Sequence, residues 1–148
     1  MYQRILIAID GSELSAKGLQ QGLALAARLG AEVDVVTVSE PWAMGMYDAM
    51  GWSVGYEATP EYRQDREEGA QKILAPALAA AEATGVIAHG CHVLDRYPAE
   101  GIIDIATSHR CDLIVMTSHG RRGMSRVLLG SQTAEVLARS QVPVLVIR

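Results

Sequence analysis

The chain has 148 residues, enough for one domain with a real core. Apolar residues make up 49% and charged residues 20%, and 13 Lys+Arg against 17 Asp+Glu leave a net charge of −4. That balance gives no bulk attraction to nucleic acid or anionic lipid, and no apolar run approaches the roughly 18 residues of a membrane span.

Met1-Tyr2-Gln3-Arg4 leads straight into a strand without the layout of a signal peptide, so the cytoplasm is the expected location. Arg4-Ile5-Leu6-Ile7-Ala8-Ile9 is a nearly continuous apolar run, as a strand covered on both faces requires. Asp10-Gly11-Ser12 breaks it, and Ser12 caps a helix with Ala16, Leu19, Leu23, Ala26 and Ala27 on its apolar side and Gly30 at its stop. Val33 to Val38 is the second strand. Thr59-Pro60 opens a second helix, which carries an apolar stripe of Ile73, Leu74, Ala77, Leu78 and Ala81 and ends at Gly85. Pro76 falls within that stripe and predicts a kink, at a cost of about 3 kcal/mol.

Val86 to Val93 reads as the third strand, and Pro98 opens a third helix with Ile102, Ile103 and Ala106. Asp112 to Met116, Ser131 to Arg139 and Val144 to Ile147 follow as strand, helix and strand. Alternating strands and helices predict an α/β fold: one open five-stranded parallel sheet with helices on both faces and right-handed crossovers. No repeat, linker or second boundary interrupts residues 1–148.

The segment from Ser39 to Thr59 breaks this rhythm. It holds Trp42, Trp52, Tyr47, Tyr56, Met44, Met46 and Met50, with Gly45, Gly51 and Gly55 between them. Its composition argues against a solvated linker. A flap over the sheet edge and a lid or partner surface both fit.

The two cysteines, Cys91 and Cys111, form no disulfide scaffold. Cys91 lies between His89 and His92, but in an extended segment His92 points away from the other two, and no spaced metal motif is present. Both cysteines read as small buried hydrophobes.

The chemistry concentrates where the fourth strand ends. Thr117-Ser118-His119-Gly120, nine further residues and Gly130-Ser131 give the spacing T-x2-G-x9-G-S. Backbone N–H groups and the positive end of a helix dipole meet there, which suits a phosphate; glycines serving turn geometry alone are the plainer alternative. Arg121, Arg122 and Arg126 add a local basic patch. Asp10 ends the first strand, on the same edge if the first and fourth strands are neighbours. Beside phosphates its carboxylate calls for a bridging Mg²⁺ or water; it can equally accept a ribose hydroxyl, or merely turn the chain.

Other nucleotide signatures are absent from the sequence. There is no G-x4-G-K-[S/T] loop, no G-x-G-x-x-G fingerprint and no G-x-S-x-G elbow. Lys17 and Lys72, the only lysines, fall in helical patterns away from the glycine loop.

The chain resembles the universal stress protein family. The likeness is carried by Ile5-Leu6-Ile7-Ala8-Ile9-Asp10-Gly11-Ser12, Asp112-Leu113-Ile114-Val115-Met116, the glycine loop and Val142-Pro143-Val144-Leu145-Val146-Ile147. The resemblance implies strand order 3-2-1-4-5, ATP binding often with a divalent ion such as Mg²⁺, and a homodimer through the last strand. It implies Asp10 near ribose and phosphates, Ala8 and Val38 near the adenine or nucleoside, Met116 and Thr117 beneath the nucleoside, and Gly120, Gly130 and Ser131 on the phosphates. Thr117 departs from the pattern, which often has glycine there; its side chain crowds the ligand, forces another backbone angle or donates a hydrogen bond. Three functions follow: an ATP-dependent regulatory module read by a protein partner, a slow ATPase or autophosphorylating enzyme, and a nucleotide-free dimeric interaction protein.

Overall fold

The computed structural model describes residues 1–41, 59–120 and 129–148. The aromatic and methionine-rich stretch from Trp42 to Ala58 and the arginines Arg121, Arg122 and Arg126 lie outside these residues, and with them the expectations of a lid and a basic patch.

The elements run β1 (Arg4–Ala8), α1 (Glu13–Leu29), β2 (Glu32–Ser39), α2 (Pro60–Ala83), β3 (Ala88–Leu94), α3 (Pro98–Ser108), β4 (Leu113–Thr117), α4 (Ser131–Arg139) and β5 (Val144–Ile147). All pairings are parallel, in the order β3-β2-β1-β4-β5. Ile7 pairs with Val35 on one side and Val115 on the other, so β1 is central and β4 is its neighbour. No helix among the described residues is long and apolar enough to cross a membrane.

The alternation of side chains divides the core into two layers. Ile5, Ile7, Val33, Val35, Leu113 and Val115 face Leu23 and Ala26 of α1 and Leu74, Ala77 and Ala81 of α2. Leu6, Val36, Ile114 and Met116 face Ala99, Ile102 and Ala106 of α3 and Val136 of α4.

Helix ends follow the expected chemistry. Ser12 and Thr59 accept the N–H of Ser15 and Tyr62, and Gly30 closes α1 at φ 66°. The helix faces differ from the apolar pattern in three respects. Ala16 and Ala27 are exposed, and α1 instead turns Ser15, Gly18 and Gly22 inward beside Leu23 and Ala26. A Cβ on Gly22 would meet Ile7 Cδ1 at 2.6 Å, and one on Gly18 would meet Thr117 Cγ2 at 2.8 Å. The helix therefore rests on the sheet through two bare backbone positions. In α2, Pro76 lies on the exposed face, outside the buried stripe, and the helix continues unbroken past it. The carbonyl of Lys72 loses its intrahelical donor there, on a side of the helix that is open to solvent. The β3 ladder begins at Ala88, with Val86 packed into the core ahead of it.

Candidate functional site

Two strand exits meet at the carboxyl edge of the sheet. After β1 the chain turns through Gly11 at φ 81° into the α1 cap. Asp10 Oδ1 accepts the Ser12 N–H at 2.9 Å, while Ser15 Oγ accepts the Asp10 N–H at 3.3 Å and donates to the Ser12 carbonyl at 3.0 Å. These bonds fix the carboxylate in its turn and leave Oδ2 directed at Gly120. A Cβ on Gly120 would lie 2.7 Å from that oxygen, so only glycine lets the two chain segments approach this closely.

The exit of β4 is tied down from several directions. Thr117 belongs to the strand and is buried. Its Oγ1 donates to the His119 carbonyl at 2.9 Å, and its own carbonyl accepts from Thr133 Oγ1 at 2.8 Å. The Ser118 N–H donates to Ile147 of β5 at 2.8 Å, and the Gly130 N–H donates to the Ser118 carbonyl at 2.7 Å. The last bond draws the far end of the loop back onto its beginning.

Gly130 has φ −66°, and the positive-φ glycines among the described residues are Gly11, Gly30 and Gly85. Torsion therefore does not call for glycine at 120 or 130; space does. A Cβ on Gly130 would meet His119 Cα at 3.2 Å and the Ser118 carbonyl at 3.3 Å.

Gly130 is also the N-cap of α4 and has no side chain to accept from the helix's first amides. The Ser131, Gln132 and Thr133 N–H groups occupy the first turn, where a helix has no internal acceptors and its dipole is positive. Gly130 commits its own N–H to Ser118, so the donors offered to an anion begin at Ser131. The side chain of Gln132 reaches α3, where its Oε1 accepts the Ala99 N–H at 3.0 Å and caps that helix.

Ala8, Val38 and Met116 share the same edge and the same face. Met116 belongs to the α3–α4 core layer, and Ala8 and Val38 pack against that layer. The Val38 side chain is committed to α3, lying 2.8 Å from the Cβ position of Gly101. All eight residues singled out in the sequence thus lie at one end of the sheet, with Asp10 and Gly120 facing each other.

Asp10 and the glycine loop stand at the topological switch point between β1 and β4, the place where open parallel sheets take ligands. Residues 1–148 match the model of the universal stress protein family. The chain belongs to the universal stress protein family. It is 34% identical over 148 residues to a universal stress protein of Thermus aquaticus, covering all of both chains. It shares the fold of a universal stress protein solved in complex with cAMP, at 24% identity and TM-score 0.69, covering 99% of this chain and 97% of that one. The Archaeoglobus fulgidus universal stress protein solved with dAMP is similar at 19% identity and TM-score 0.69, covering 99% of this chain and 98% of the other.

In this universal stress protein the Thr117 side chain is held by its own neighbours. Its methyl faces Gly18, its hydroxyl is bonded to His119, and its φ is not positive. Thr133 and the Gly18–Gly22 seat are structural parts of the site that apolar periodicity does not reveal.

The opposite end of the sheet holds a second polar cluster that sequence patterns do not announce. Asp34 is fully buried in β2. Arg4 Nε and Nη2 donate to its two oxygens at 2.6 and 3.0 Å, His109 Nδ1 lies 3.3 Å from Oδ2, and Cys111 Sγ lies 3.5 Å from it. Burial pushes the Asp34 carboxyl up, but the hydrogen bonds and charge of Arg4 outweigh this and leave it below the usual carboxylate range. Burial and then the Asp34 charge push the Cys111 thiol up to about 12. Burial also raises Cys91, which is half-buried and 4.0 Å from His109 Nδ1. The cysteines therefore border a charged cluster and are not plain apolar filling. The available signal is an aspartate in the middle of an apolar strand run.

His92 lies on the other face, as the alternation predicts. Its Nε2 is 2.7 Å from Ser39 Oγ and its Nδ1 2.7 Å from Glu67 Oε2, tying β2 and β3 to α2.

Proposed function

We propose that this universal stress protein binds ATP at the carboxyl edge of its sheet and acts as a dimeric, nucleotide-dependent regulatory module in the cytoplasm. The observation that carries the reading is the placement of Asp10 Oδ2 against Gly120, beside an α4 N-terminus that begins on glycine. In this reading the α4 amides from Ser131 onward take phosphate oxygens, and the edge formed by Ala8, Val38 and Met116 takes the nucleoside. Asp10 takes a ribose hydroxyl or a Mg²⁺ ion. A carboxylate supplies the hard oxygen donors that fit Mg²⁺, which keeps most of its waters and accepts phosphate oxygens as further ligands. When bound, the ion would supply neutralising charge between the phosphates and Asp10. The relatives solved with cAMP and dAMP support an adenine nucleotide as the ligand class.

The dimer reading rests on β5, which ends the sheet order beside β4 and exposes Leu145. An apolar edge strand is an association surface, and a twofold pairing of two such edges satisfies it. Nucleotide state would then alter a surface read by a protein partner. Calorimetric titration with ATP tests the binding. One saturable site per chain is expected, tightened by Mg²⁺, with Asp10→Asn losing the Mg²⁺ increment. No binding of ATP, ADP or AMP would reject the reading.

A further inference from the structure

We propose that Asp34, Cys91 and His109 form a binding site for a zinc-class divalent cation at the amino-terminal end of the sheet, away from the nucleotide edge. One Asp34 carboxylate oxygen, Cys91 Sγ and a His109 ring nitrogen all lie within 4.8 Å of one another. They come from three separate elements: β2, β3 and the C-terminus of α3. The sheet register brings the first two together, since Val36 pairs with Cys91 and Asp34 with His89.

The separations approach those of a tetrahedral site. Zn–N and Zn–O bonds of about 2.0 Å and a Zn–S bond of about 2.3 Å give ligand edges of about 3.3 Å for N···O and about 3.5 Å for N···S. Asp34 Oδ2 and His109 Nδ1 are 3.3 Å apart, and Cys91 Sγ and His109 Nδ1 are 4.0 Å apart. The third edge, between Asp34 and Cys91, lies within 4.8 Å, so a closure of up to about 1.3 Å by the Cys91 side chain completes the triangle and leaves a fourth position for water.

The surroundings favour a cation in three ways. Asp34 is fully buried, and Arg4 already orients its carboxylate as the outer hydrogen-bond partner of a metal-bound carboxylate does. His109 is the C-cap of α3, so the negative end of that helix dipole points at the site. A cleft of about 700 Å³ lined by Arg4, Glu32, His109, Arg110 and Asp112 opens beside His109 and brings solvent to that ligand.

Binding is an exchange of a proton for a metal: the Cys91 S–H bond breaks, the proton leaves to solvent and the thiolate bonds the cation. The two charges of the cation are then balanced by Cys91 and Asp34, and Arg4 retains Glu32 at 3.6 Å. One sulfur, one nitrogen and one oxygen donor select a borderline ion over Mg²⁺ or Ca²⁺.

Co²⁺ serves as the probe. Reduced, chelator-treated protein is titrated with Co²⁺ and followed in the near ultraviolet. The expected result is a thiolate-to-cobalt absorption band saturating at one equivalent per chain, with about one proton released, and its loss on adding Zn²⁺. Cys91→Ser should abolish the band, His109→Ala should weaken Co²⁺ binding at least tenfold, and Cys111→Ser should keep the band. Circular dichroism confirms that each variant is folded. Absence of the band in the natural protein, which needs no variant, overturns the proposal. So does its persistence in Cys91→Ser or its loss in Cys111→Ser.

Discussion

Asp10 and Gly120 meet so closely that the carboxylate oxygen of one occupies the space beside the missing side chain of the other, 2.7 Å from where a Cβ would stand. Neighbouring parallel strands create this contact, since β1 and β4 deliver both residues to the same edge. Gly120→Ala should therefore push the carboxylate aside. The expected loss is at least tenfold in ATP affinity, about 1.4 kcal/mol, with little change in melting temperature because the site is at the surface. Gly130→Val, which strikes His119 and Ser118, should do the same. Calorimetry on the three proteins checks this, and unchanged affinities would remove the glycine loop from the site.

Thr133→Val tests the anchoring of the loop. It leaves the Thr117 carbonyl, buried beneath α4, without its hydroxyl donor. An unsatisfied buried acceptor costs about 1–3 kcal/mol. Thr133→Ser restores the hydroxyl and should recover most of the loss in a urea melt.

The fold is legible in the sequence because its strands are covered on both faces: Ile5 to Ile7, Val33 to Val36 and Leu113 to Met116 are apolar nearly throughout, and glycine or capping residues punctuate them. Strand order comes only with the family resemblance, since periodicity says nothing about which strands pair. The sheet-facing side of α1 escapes an apolar pattern because Gly18 and Gly22 register as weak helix formers, although close packing needs their lack of side chains. The glycine loop and Asp10 are legible as a candidate site, but the hydrogen bond from the Gly130 N–H to Ser118 is not, because it forms only when the loop folds back on its own beginning. The only trace of the Asp34 cluster in the sequence is an aspartate within an apolar strand run, because Arg4, Cys91 and His109 reach it only through sheet register and the end of α3.

The Arg4–Asp34 pair predicts an asymmetry. Arg4→Met strands a fully buried carboxylate and should cost about 3–5 kcal/mol at pH 7. Asp34→Asn should cost less, because Arg4 reaches solvent, with a third of its side chain exposed. Chemical denaturation of metal-free protein measures both.

The same pair sets opposite acid responses. The Asp34 carboxyl is held low in the fold, so its contribution is fully present above the unfolded value of about 3.9 and is lost as pH falls through the lower folded value. In Arg4→Met burial, the largest influence on Asp34, is opposed only by the Cys111 hydrogen bond and the His109 charge; the folded value should rise, so that variant should gain stability as pH is lowered from 7 toward 4. A pH series in which both proteins respond with the same sign would contradict the assignment.

Leu145 tests the dimer. It is exposed on β5, and Leu145→Glu would place charges against each other across a twofold pairing of these strands. Sedimentation should show a dimer for the natural protein at micromolar concentration and a monomer for the variant. A natural protein that sediments only as monomer would reject the dimer.

The seating of α1 on Thr117 also constrains how this sequence can drift. The threonine methyl fills the space that a side chain on Gly18 would need, so the two positions share one small volume. A glycine in place of Thr117 would release the position of Gly18 to carry alanine or serine. Across the family the two sites should therefore vary as a pair, a bulky residue at one accompanying glycine at the other.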